Sequence, residues 1–268
     1  MGRYRTKKRF GQHFLISASI LDRLIAVIAP AASDTIVEIG PGQGVLTERL
    51  AASGASVIGV EMDHDLIGAL ESRLKQYDSV VIKNRNFLKA SPDDLCDVPF
   101  RLVGNIPYNI TSPVIDWCCR NRQQILSVVL MVQKDFASRL ASSPGCKDWA
   151  PISIFSQMSF DIHLCFDVPP DSFEPPPKVM SAVVRLDPRQ GVWLDHPEQF
   201  ERLVRTAFAQ RRKLLINNLA PSIVDDSEKA RELLAAVGLD ATCRAEQLSI
   251  DQFLILTEQM VADKIRIE

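Results

Sequence analysis

The order of apolar and polar positions between residues 35 and 142 predicts that strands and helices alternate along the chain. Five short apolar runs are typical of buried strands, at 35–39, 56–61, 79–83, 100–104 and 126–132. Apolar residues recur at helical spacing in the intervening and following segments, at about 45–53, 64–76, 111–122 and 134–142. This alternation predicts an α/β fold built on a doubly wound, mostly parallel sheet.

The pattern changes in the second half of the chain. Two β-rich stretches, at about 156–167 and 179–186, flank a proline-rich segment and predict an antiparallel hairpin at the sheet edge. After Asp187-Pro188 only helical patterns remain, at 197–209, 211–219, 228–236 and 250–263. We therefore predict two domains, an α/β domain over 1–188 and a small all-helical domain over 189–268.

A glycine-rich turn joins the first predicted strand to the first helix, with Gly40, Gly42 and Gly44 in a G-x-G-x-G pattern. Glu61 ends the next strand, 21 positions after Gly40, near the roughly 20 expected of an acid that binds ribose hydroxyls. Position 45 is not glycine, and Pro41 removes one N–H that a pyrophosphate would need. An adenosine without phosphate, such as that of S-adenosylmethionine, fits better; the alternative is a tight βα turn without a ligand.

The segment Asn105-Ile106-Pro107-Tyr108 follows the fourth predicted strand. Such a turn suits a planar base whose exocyclic amine is to be alkylated. The Asn105 side chain and the Ile106 carbonyl would accept the two N–H groups of that amine. Pro107 fixes its own φ, and Tyr108 offers a flat face on which a base can stack. The alternative is an ordinary X-Pro loop with a buried tyrosine.

These segments form part of a larger set that resembles the ribosomal RNA adenine dimethyltransferase family, in its bacterial KsgA-type branch. The resemblance runs from about residue 7 to the C-terminus, and the five motifs that carry it are specific as a set. They lie at 8–15, 38–44, 105–108, 173–179 and 207–213.

The resemblance implies a Rossmann-like class I methyltransferase fold with S-adenosylmethionine as cofactor, and dimethylation of N6 of two adjacent adenosines. The target adenosines would lie in a hairpin loop near the 3′ end of small-subunit (16S) rRNA, and the reaction would be coupled to small-subunit biogenesis. The cofactor-binding residues implied are His13, Leu15, Gly40, Gly42, Glu61, Met62, Asn86 and Asn105. The catalytic turn would be Asn105 to Tyr108, with Tyr108 and Phe173 enclosing the target base between them.

Asn86 departs from the family, which usually has Asp at this position to accept a hydrogen bond from the cofactor adenine. An amide oxygen still accepts that bond, but without charge assistance. We therefore expect somewhat weaker cofactor binding and an unchanged reaction.

Basic residues are clustered although the net charge is only −2. Such local patches on a near-neutral chain are typical of a protein that contacts RNA phosphates at a few places. A solvated tail and a polar helix face are the alternatives for the two clusters. The residues expected to bind RNA are Arg5, Lys7, Lys8, Arg9, Arg211, Arg212 and Lys213, the last three in a predicted helix with Arg202 and Arg205.

The composition limits the remaining possibilities. No stretch approaches 18 apolar residues, so no membrane span is expected. The six cysteines form no C-x-x-C pair and the four histidines have no metal spacing, so we expect reduced thiols and no metal. We expect a cytoplasmic monomer that acts on rRNA within the immature 30S particle.

Three other functions are compatible with parts of this pattern. One is methylation of a single adenosine in large-subunit rRNA, which the 207–213 segment and Pro175-Pro176-Pro177 disfavour. Another is a ribosome-assembly factor that has lost methylation, although Gly40, Glu61 and Asn105 are intact. The third is an N-methyltransferase for a small molecule or a protein, which an RNA-containing acceptor would exclude.

Overall fold

The structure is a computed structural model that describes residues 11–190, 194–223 and 227–265. These residues divide into two compact units. The first comprises the described residues up to Ser138 together with Ser159–Arg189. The second comprises Arg139–Met158 together with the described residues from Gln190 onwards.

All nine strands of the described residues belong to the first unit. They are β1 (Phe14–Leu15), β2 (Thr35–Ile39), β3 (Ser56–Glu61), β4 (Val80–Asn84), β5 (Phe100–Asn105), β6 (Ile125–Gln133), β7 (Phe160–Val168), β8 (Phe173–Glu174) and β9 (Ser181–Pro188). The helices of the first two-thirds of the chain are α1 (Ala18–Ile28), α2 (Val45–Ala51), α3 (His64–Leu74), α4 (Pro92–Leu95), α5 (Thr111–Arg120), α6 (Lys134–Leu140) and α7 (Pro151–Ser159). Those that follow are α8 (Pro197–Ala207), α9 (Leu215–Ile223), α10 (Ser227–Ala236) and α11 (Ile250–Ala262).

Seven strands form one sheet in the order β4-β3-β2-β5-β6-β9-β7. The five strands from β4 to β6 are parallel, and β9 and β7 add an antiparallel pair at one edge. The chain builds outward from β2 through β3 to β4 and then returns to place β5 on the other side of β2. The carboxyl ends of β2 and β5 therefore form the crevice in which ligands of open α/β sheets bind.

The short strands β1 and β8 form a separate antiparallel pair, with Leu15 opposite Phe173. Both residues are buried in the core of the first unit, together with Leu24, Val103 and Met131 among others. This pair fixes the segment around residue 13 to the proline-rich segment around residue 175.

The second unit has its own apolar core, to which Trp149, Ile154 and Met158 contribute. The predicted continuous domain over 1–188 therefore differs from the structure, in which Arg139–Met158 groups with the C-terminal helices. The predicted β-rich stretch at 156–167 also begins too early, because α7 extends to Ser159. Apolar residues at helical spacing in α7 explain both differences, since they supply the second core and not the sheet.

Candidate active site

A cavity of about 370 Å³ lies in the first unit, at the carboxyl ends of β2, β3 and β5. Most of the residues predicted for the cofactor and catalytic sites line it, although they come from segments far apart in the sequence. Those that line it are His13, Leu15, Gly40, Gly42, Glu61, Met62, Asn86, Asn105, Ile106, Pro107 and Tyr108.

The glycine turn after β2 shapes one wall of this cavity. Gly40 has a φ of 63°, and a Cβ added there would meet no atom within 4 Å, so its backbone faces open space. Gly42 has a φ of 59°, and a Cβ there would lie 2.9 Å from Cε1 of Phe14. Only glycine combines this backbone conformation with so close an approach.

The N–H groups of the three glycines in this turn have partners within the protein. Gly40 donates to the Val60 carbonyl at 3.0 Å and Gly44 to the Pro41 carbonyl at 2.8 Å. Gly42 donates to Oε2 of Glu61 at 3.1 Å. A phosphate would need such N–H groups for itself, so this donor set fits an adenosine without phosphate better than a dinucleotide.

Glu61 is buried at the end of β3, where each carboxylate oxygen accepts a backbone N–H. Gly42 donates to Oε2, and Asp63 donates to Oε1 at 2.7 Å. Burial raises the pKa of Glu61, while the bonds from Asp63 and Gly42 oppose that rise. Each oxygen keeps a further lone pair, so the carboxylate can accept hydroxyl groups of a ribose without losing its backbone partners.

Asn105 ends β5 and is half-buried. Its Nδ2 donates to the backbone carbonyl of His13 at 2.8 Å. Because this bond occupies the amide nitrogen, Oδ1 is the atom of Asn105 that is oriented to accept hydrogen bonds. The sequence pattern could not reveal this orientation, since it depends on a backbone group 92 positions away.

Tyr108 follows in a short 3-10 helix and is held by two other segments. Its hydroxyl lies 2.7 Å from Oγ of Ser181, the buried first residue of β9. Its ring is stacked with that of His13, with ring centroids 5.8 Å apart and planes at 24°. Nδ1 of His13 in turn donates to the Pro175 carbonyl at 2.7 Å. The plane of Tyr108 is therefore set before any ligand binds.

Phe173 is not where the sequence analysis placed it. The side chain is only 3% exposed, it packs in the core of the first unit, and it does not line the cavity. Its position in β8, opposite Leu15, turns the ring inward. The expected enclosure of a base between Tyr108 and Phe173 is therefore not formed in this structure, and Phe173 supports the β1–β8 pair instead.

Asn86 and Met62 also line the cavity. Oδ1 of Asn86 accepts the backbone N–H of Leu88 at 3.0 Å and thereby begins the 3-10 helix Phe87–Lys89. An aspartate at this position would have a second oxygen for an adenine amine, whereas Asn86 must share its one acceptor oxygen. Met62 is 55% exposed, as suits an apolar side chain that covers a ligand rather than the protein core.

Glu38 also lines the cavity, and the sequence analysis gave it no role although it lies in the 38–44 motif. It is 2% exposed, and burial raises its pKa to about 7, helped by the nearby charge of Glu61 and opposed by the Thr47 hydroxyl. An acidic residue inside an otherwise apolar strand is a signal that could have identified it.

The predicted RNA-binding residues are only partly described. Arg5, Lys7, Lys8 and Arg9 lie outside the described residues. The helix predicted over 211–219 begins only at Leu215, so Arg211, Arg212 and Lys213 lie in the turn after α8 and not in one helix with Arg202 and Arg205. All three side chains are exposed.

Arg211 differs from its two neighbours because the protein itself uses its guanidinium. Nη2 donates to the carbonyls of Lys147 and Trp149, the latter at 3.0 Å, and lies 3.6 Å from Oε2 of Glu246. These contacts fix the turn to the loop before α7 within the second unit. Arg211 therefore has a structural role in addition to any contact with RNA.

This difference predicts opposite effects for two neighbouring substitutions. We expect Arg211→Ala to lower the free energy of unfolding by about 1–2 kcal/mol, because carbonyl groups lose a charged donor. We expect Arg212→Ala to leave that free energy unchanged within about 0.5 kcal/mol and to weaken RNA binding with a smaller salt dependence. Urea unfolding and RNA titration at several salt concentrations separate the two; equal stability of both variants would contradict this assignment.

The described part of the chain contains no group of three or more His, Cys, Asp or Glu side chains arranged to hold a metal ion. Within the same residues, no helix is both long and apolar enough to cross a membrane.

Comparison with solved structures identifies the class of protein that this fold and cavity define. A dimethyladenosine transferase from Plasmodium falciparum superposes with a TM-score of 0.81 and 26% identity, covering 96% of this chain and 100% of that one. The 23S rRNA methyltransferase ErmE superposes with a TM-score of 0.71 and 25% identity, covering 92% and 99%. The fold is that of a class I methyltransferase, as predicted.

Sequence comparison identifies the family. The profile described as "Ribosomal RNA adenine dimethylase" matches residues 3–261. Proteins named "Ribosomal RNA small subunit methyltransferase A" are 39% identical over 261 residues in Saccharophagus degradans and 40% over 263 residues in Pseudomonas fluorescens. The alignments cover 96% of this chain in both cases, and 95% and 94% of the relatives. The chain therefore belongs to the ribosomal RNA adenine dimethylase family.

Family membership confirms several predictions made from the sequence. The protein is an rRNA adenine dimethyltransferase, its methyl donor is S-adenosylmethionine, and its substrate is RNA. The roles of individual residues in binding and catalysis stay predictions.

Proposed function

We propose that this enzyme dimethylates N6 of two adjacent adenosines in a hairpin loop near the 3′ end of small-subunit (16S) rRNA. The observation that carries the proposal is the placement of Asn105 to Tyr108 beside the glycine turn, at the crevice between β2 and β5. One wall of the cavity suits an adenosine, and the adjoining turn suits an amine on a planar base. The small-subunit relatives, which align over nearly their whole length, support the choice of substrate.

The residues of the cavity would act by orientation and electrostatics. When bound, S-adenosylmethionine supplies a methyl group already activated by its sulfonium. Oδ1 of Asn105, oriented by the His13 carbonyl, accepts one N–H of the target amine. The Ile106 carbonyl accepts the other N–H. Together they favour a tetrahedral nitrogen whose lone pair points at the methyl group, and the proton leaves to water or through Asn105.

Tyr108 would hold the base by stacking, worth roughly 1–3 kcal/mol. An adenosine must leave its own stack to reach such a cavity, and this costs less in a hairpin loop than in a duplex. The immobilised ring of Tyr108 reduces the ordering that base binding would otherwise require. This is the physical reason to expect a loop adenosine as substrate.

The two basic clusters, near the N-terminus and in the turn after α8, would contact RNA phosphates. Arg212 and Lys213 are exposed, and the predicted contacts of Arg5, Lys7, Lys8 and Arg9 join them in this proposal. The particle bound would be the immature 30S subunit, with a monomeric enzyme in the cytoplasm, and the reaction would belong to small-subunit biogenesis.

The proposal is tested by offering labelled S-adenosylmethionine with either small or large ribosomal subunits that lack the modification. We expect label in RNA of the small subunit only. Label in large-subunit RNA would favour the single-adenosine alternative, for which the likeness to ErmE is the supporting observation. Label in neither, but in adenosine or a peptide, would overturn the rRNA substrate.

Loss of the Tyr108–Ser181 hydrogen bond is expected to have a small effect on activity. The effect should be the same whichever of the two residues is substituted. We expect Tyr108→Phe and Ser181→Ala each to lower kcat/KM for RNA by roughly 3–10-fold, from a bond worth about 1 kcal/mol, with cofactor affinity unchanged. Because both variants lose the same bond, the double variant should lose no more than either one.

Tyr108→Ala is the reference for these losses in kcat/KM, because it removes the aromatic ring on which the base would stack. We expect it to lower kcat/KM by about 10–100-fold. Steady-state kinetics with small subunits measures all four variants. Additive losses in the double variant would show that Ser181 does not act through Tyr108.

A further inference from the structure

Glu38 is a buried acid that faces the cofactor cavity without a cationic partner. It is 2% exposed, it lines the cavity, and its Oε2 has no hydrogen-bond partner in the described part of the protein. An ionised carboxylate in such a place is costly unless a positive charge compensates it. The side chain is therefore either neutral or matched to a cation that the cavity receives.

Among the described residues, the other ionisable groups of the cavity wall do not supply this cation. In that part of the chain they are His13, Glu61, Arg85 and Tyr108. Glu61 is a second acid, whose charge further disfavours ionisation of Glu38. Arg85 is paired with Asp94 at 3.2 Å, and the rings of His13 and Tyr108 are bonded to Pro175 and Ser181. From α2, the neighbouring Thr47 offers only a neutral hydroxyl.

We propose that Glu38 is the counter-charge for the positively charged cofactor, and that it exchanges its proton as the cofactor binds. In the free protein below about pH 7 the carboxyl is mostly neutral, because burial disfavours its charged form. When the cation enters the cavity, the O–H bond of Glu38 breaks, the proton passes to solvent and the electron pair stays on the carboxylate. The reverse occurs when the cation leaves. The inference rests on the proposed function only through its cofactor, and it needs no RNA.

Two positive charges of S-adenosylmethionine are candidates, its sulfonium and its α-ammonium group. S-adenosylhomocysteine, the product of methyl transfer, keeps the ammonium and lacks the sulfonium. If Glu38 responds to the sulfonium, transfer of the methyl group removes the charge that keeps Glu38 ionised, and product release becomes favourable. If it responds to the ammonium, both ligands displace the proton.

Calorimetric titration in buffers of different ionisation enthalpy measures the protons released, with the unmodified protein and with Glu38→Gln. Since burial brings the pKa of Glu38 to about 7, we expect the unmodified protein to release roughly three-quarters of a proton more than Glu38→Gln at pH 6.5, and about a tenth more at pH 8. The ratio of the affinity of the unmodified protein to that of Glu38→Gln should rise about tenfold from pH 6 to pH 8. Titration of the free ligand is the same for both proteins and cancels in these comparisons.

The same titration with S-adenosylhomocysteine identifies the charge to which Glu38 responds. Proton release with S-adenosylmethionine alone assigns that charge to the sulfonium. Equal release with both ligands assigns it to the ammonium. Equal proton release by the unmodified protein and Glu38→Gln would overturn the inference while leaving the enzyme's activity assigned as before. If neither the unmodified protein nor Glu38→Gln bound S-adenosylmethionine, both the inference and the assignment of the cofactor would be wrong.

Carbon-13 NMR of the Glu38 carboxyl in the unmodified protein gives a second measure that does not depend on the variant's folding. We expect the carbon to report a neutral acid at pH 6 without ligand and a carboxylate at the same pH with S-adenosylmethionine. An ionised carboxyl at pH 6 without ligand would contradict the inference.

Discussion

Asn105→Ala is expected to lower kcat for methyl transfer by about 10²–10³-fold, the cost typical of removing one positioned polar group from a reacting centre. The substitution removes Oδ1, the acceptor that the His13 carbonyl orients. It leaves Glu61 and the glycine turn in place, so the affinity for S-adenosylmethionine should change by only a few-fold. Single-turnover transfer to small subunits, combined with calorimetric measurement of cofactor binding, separates the two quantities.

Asn109→Ala is the matched control, because Asn109 is the same residue type, lines the same cavity and is exposed. We expect its transfer rate to stay within a few-fold of the unmodified enzyme. If Asn105→Ala kept more than about a tenth of the rate, the amide would not be the group that activates the amine.

Glu61→Ala is expected to weaken S-adenosylmethionine binding by about 100-fold or more, because each hydrogen bond to a charged group contributes about 1.5–3 kcal/mol. Two effects combine in this loss. The ribose hydroxyls lose their acceptor, and the N–H groups of Gly42 and Asp63 lose theirs, so the turn beside Gly40 is no longer fixed. Equilibrium binding of the cofactor, without RNA, measures the effect.

Glu71→Ala provides the control, since it makes the same change at an exposed position of α3. We expect no change in its cofactor affinity. Glu61→Gln should fall between the two, because an amide keeps one acceptor oxygen and loses the charge. Unchanged binding by Glu61→Ala would place the ribose elsewhere in the cavity.

The sheet could be predicted closely from the sequence because its strands are strongly apolar. Observed β2 and β3 have the predicted bounds, and β4 and β5 differ from them by one residue at one or both ends. A parallel strand buried on both faces is a nearly continuous run of Val, Ile and Leu, which few other structures produce. The doubly wound, mostly parallel character of the sheet then followed from the alternation of strands with helices, whereas the strand order came from the structure.

The residues that hold the site together were not predictable in the same way. The Ser181–Tyr108 bond joins positions 73 apart, and the His13–Asn105 bond joins positions 92 apart. Such contacts depend on which strand pairs with which, and local spacing carries no information about them. The inward turn of Phe173 is a case of the same kind, because it follows from pairing with Leu15.

Glu38 shows a different limit of sequence reasoning. Its place in the motif was evident, but its burial and the missing partner of Oε2 became visible only in three dimensions. Arg211 is similar, since a basic residue in a basic cluster indicates RNA, whereas its guanidinium is bonded to the carbonyls of Lys147 and Trp149. In both cases the residue type indicated a functional position, but the sequence did not show which groups the side chain contacts.

Mass spectrometry of RNA from small subunits treated with this enzyme and S-adenosylmethionine tests the central claim most directly. We predict N6,N6-dimethyladenosine at two adjacent positions of one hairpin loop near the 3′ end, formed about 10²–10³-fold more slowly with Asn105→Ala. Dimethylation at a single position, at positions outside that loop, or to the same extent with Asn105→Ala would contradict the account.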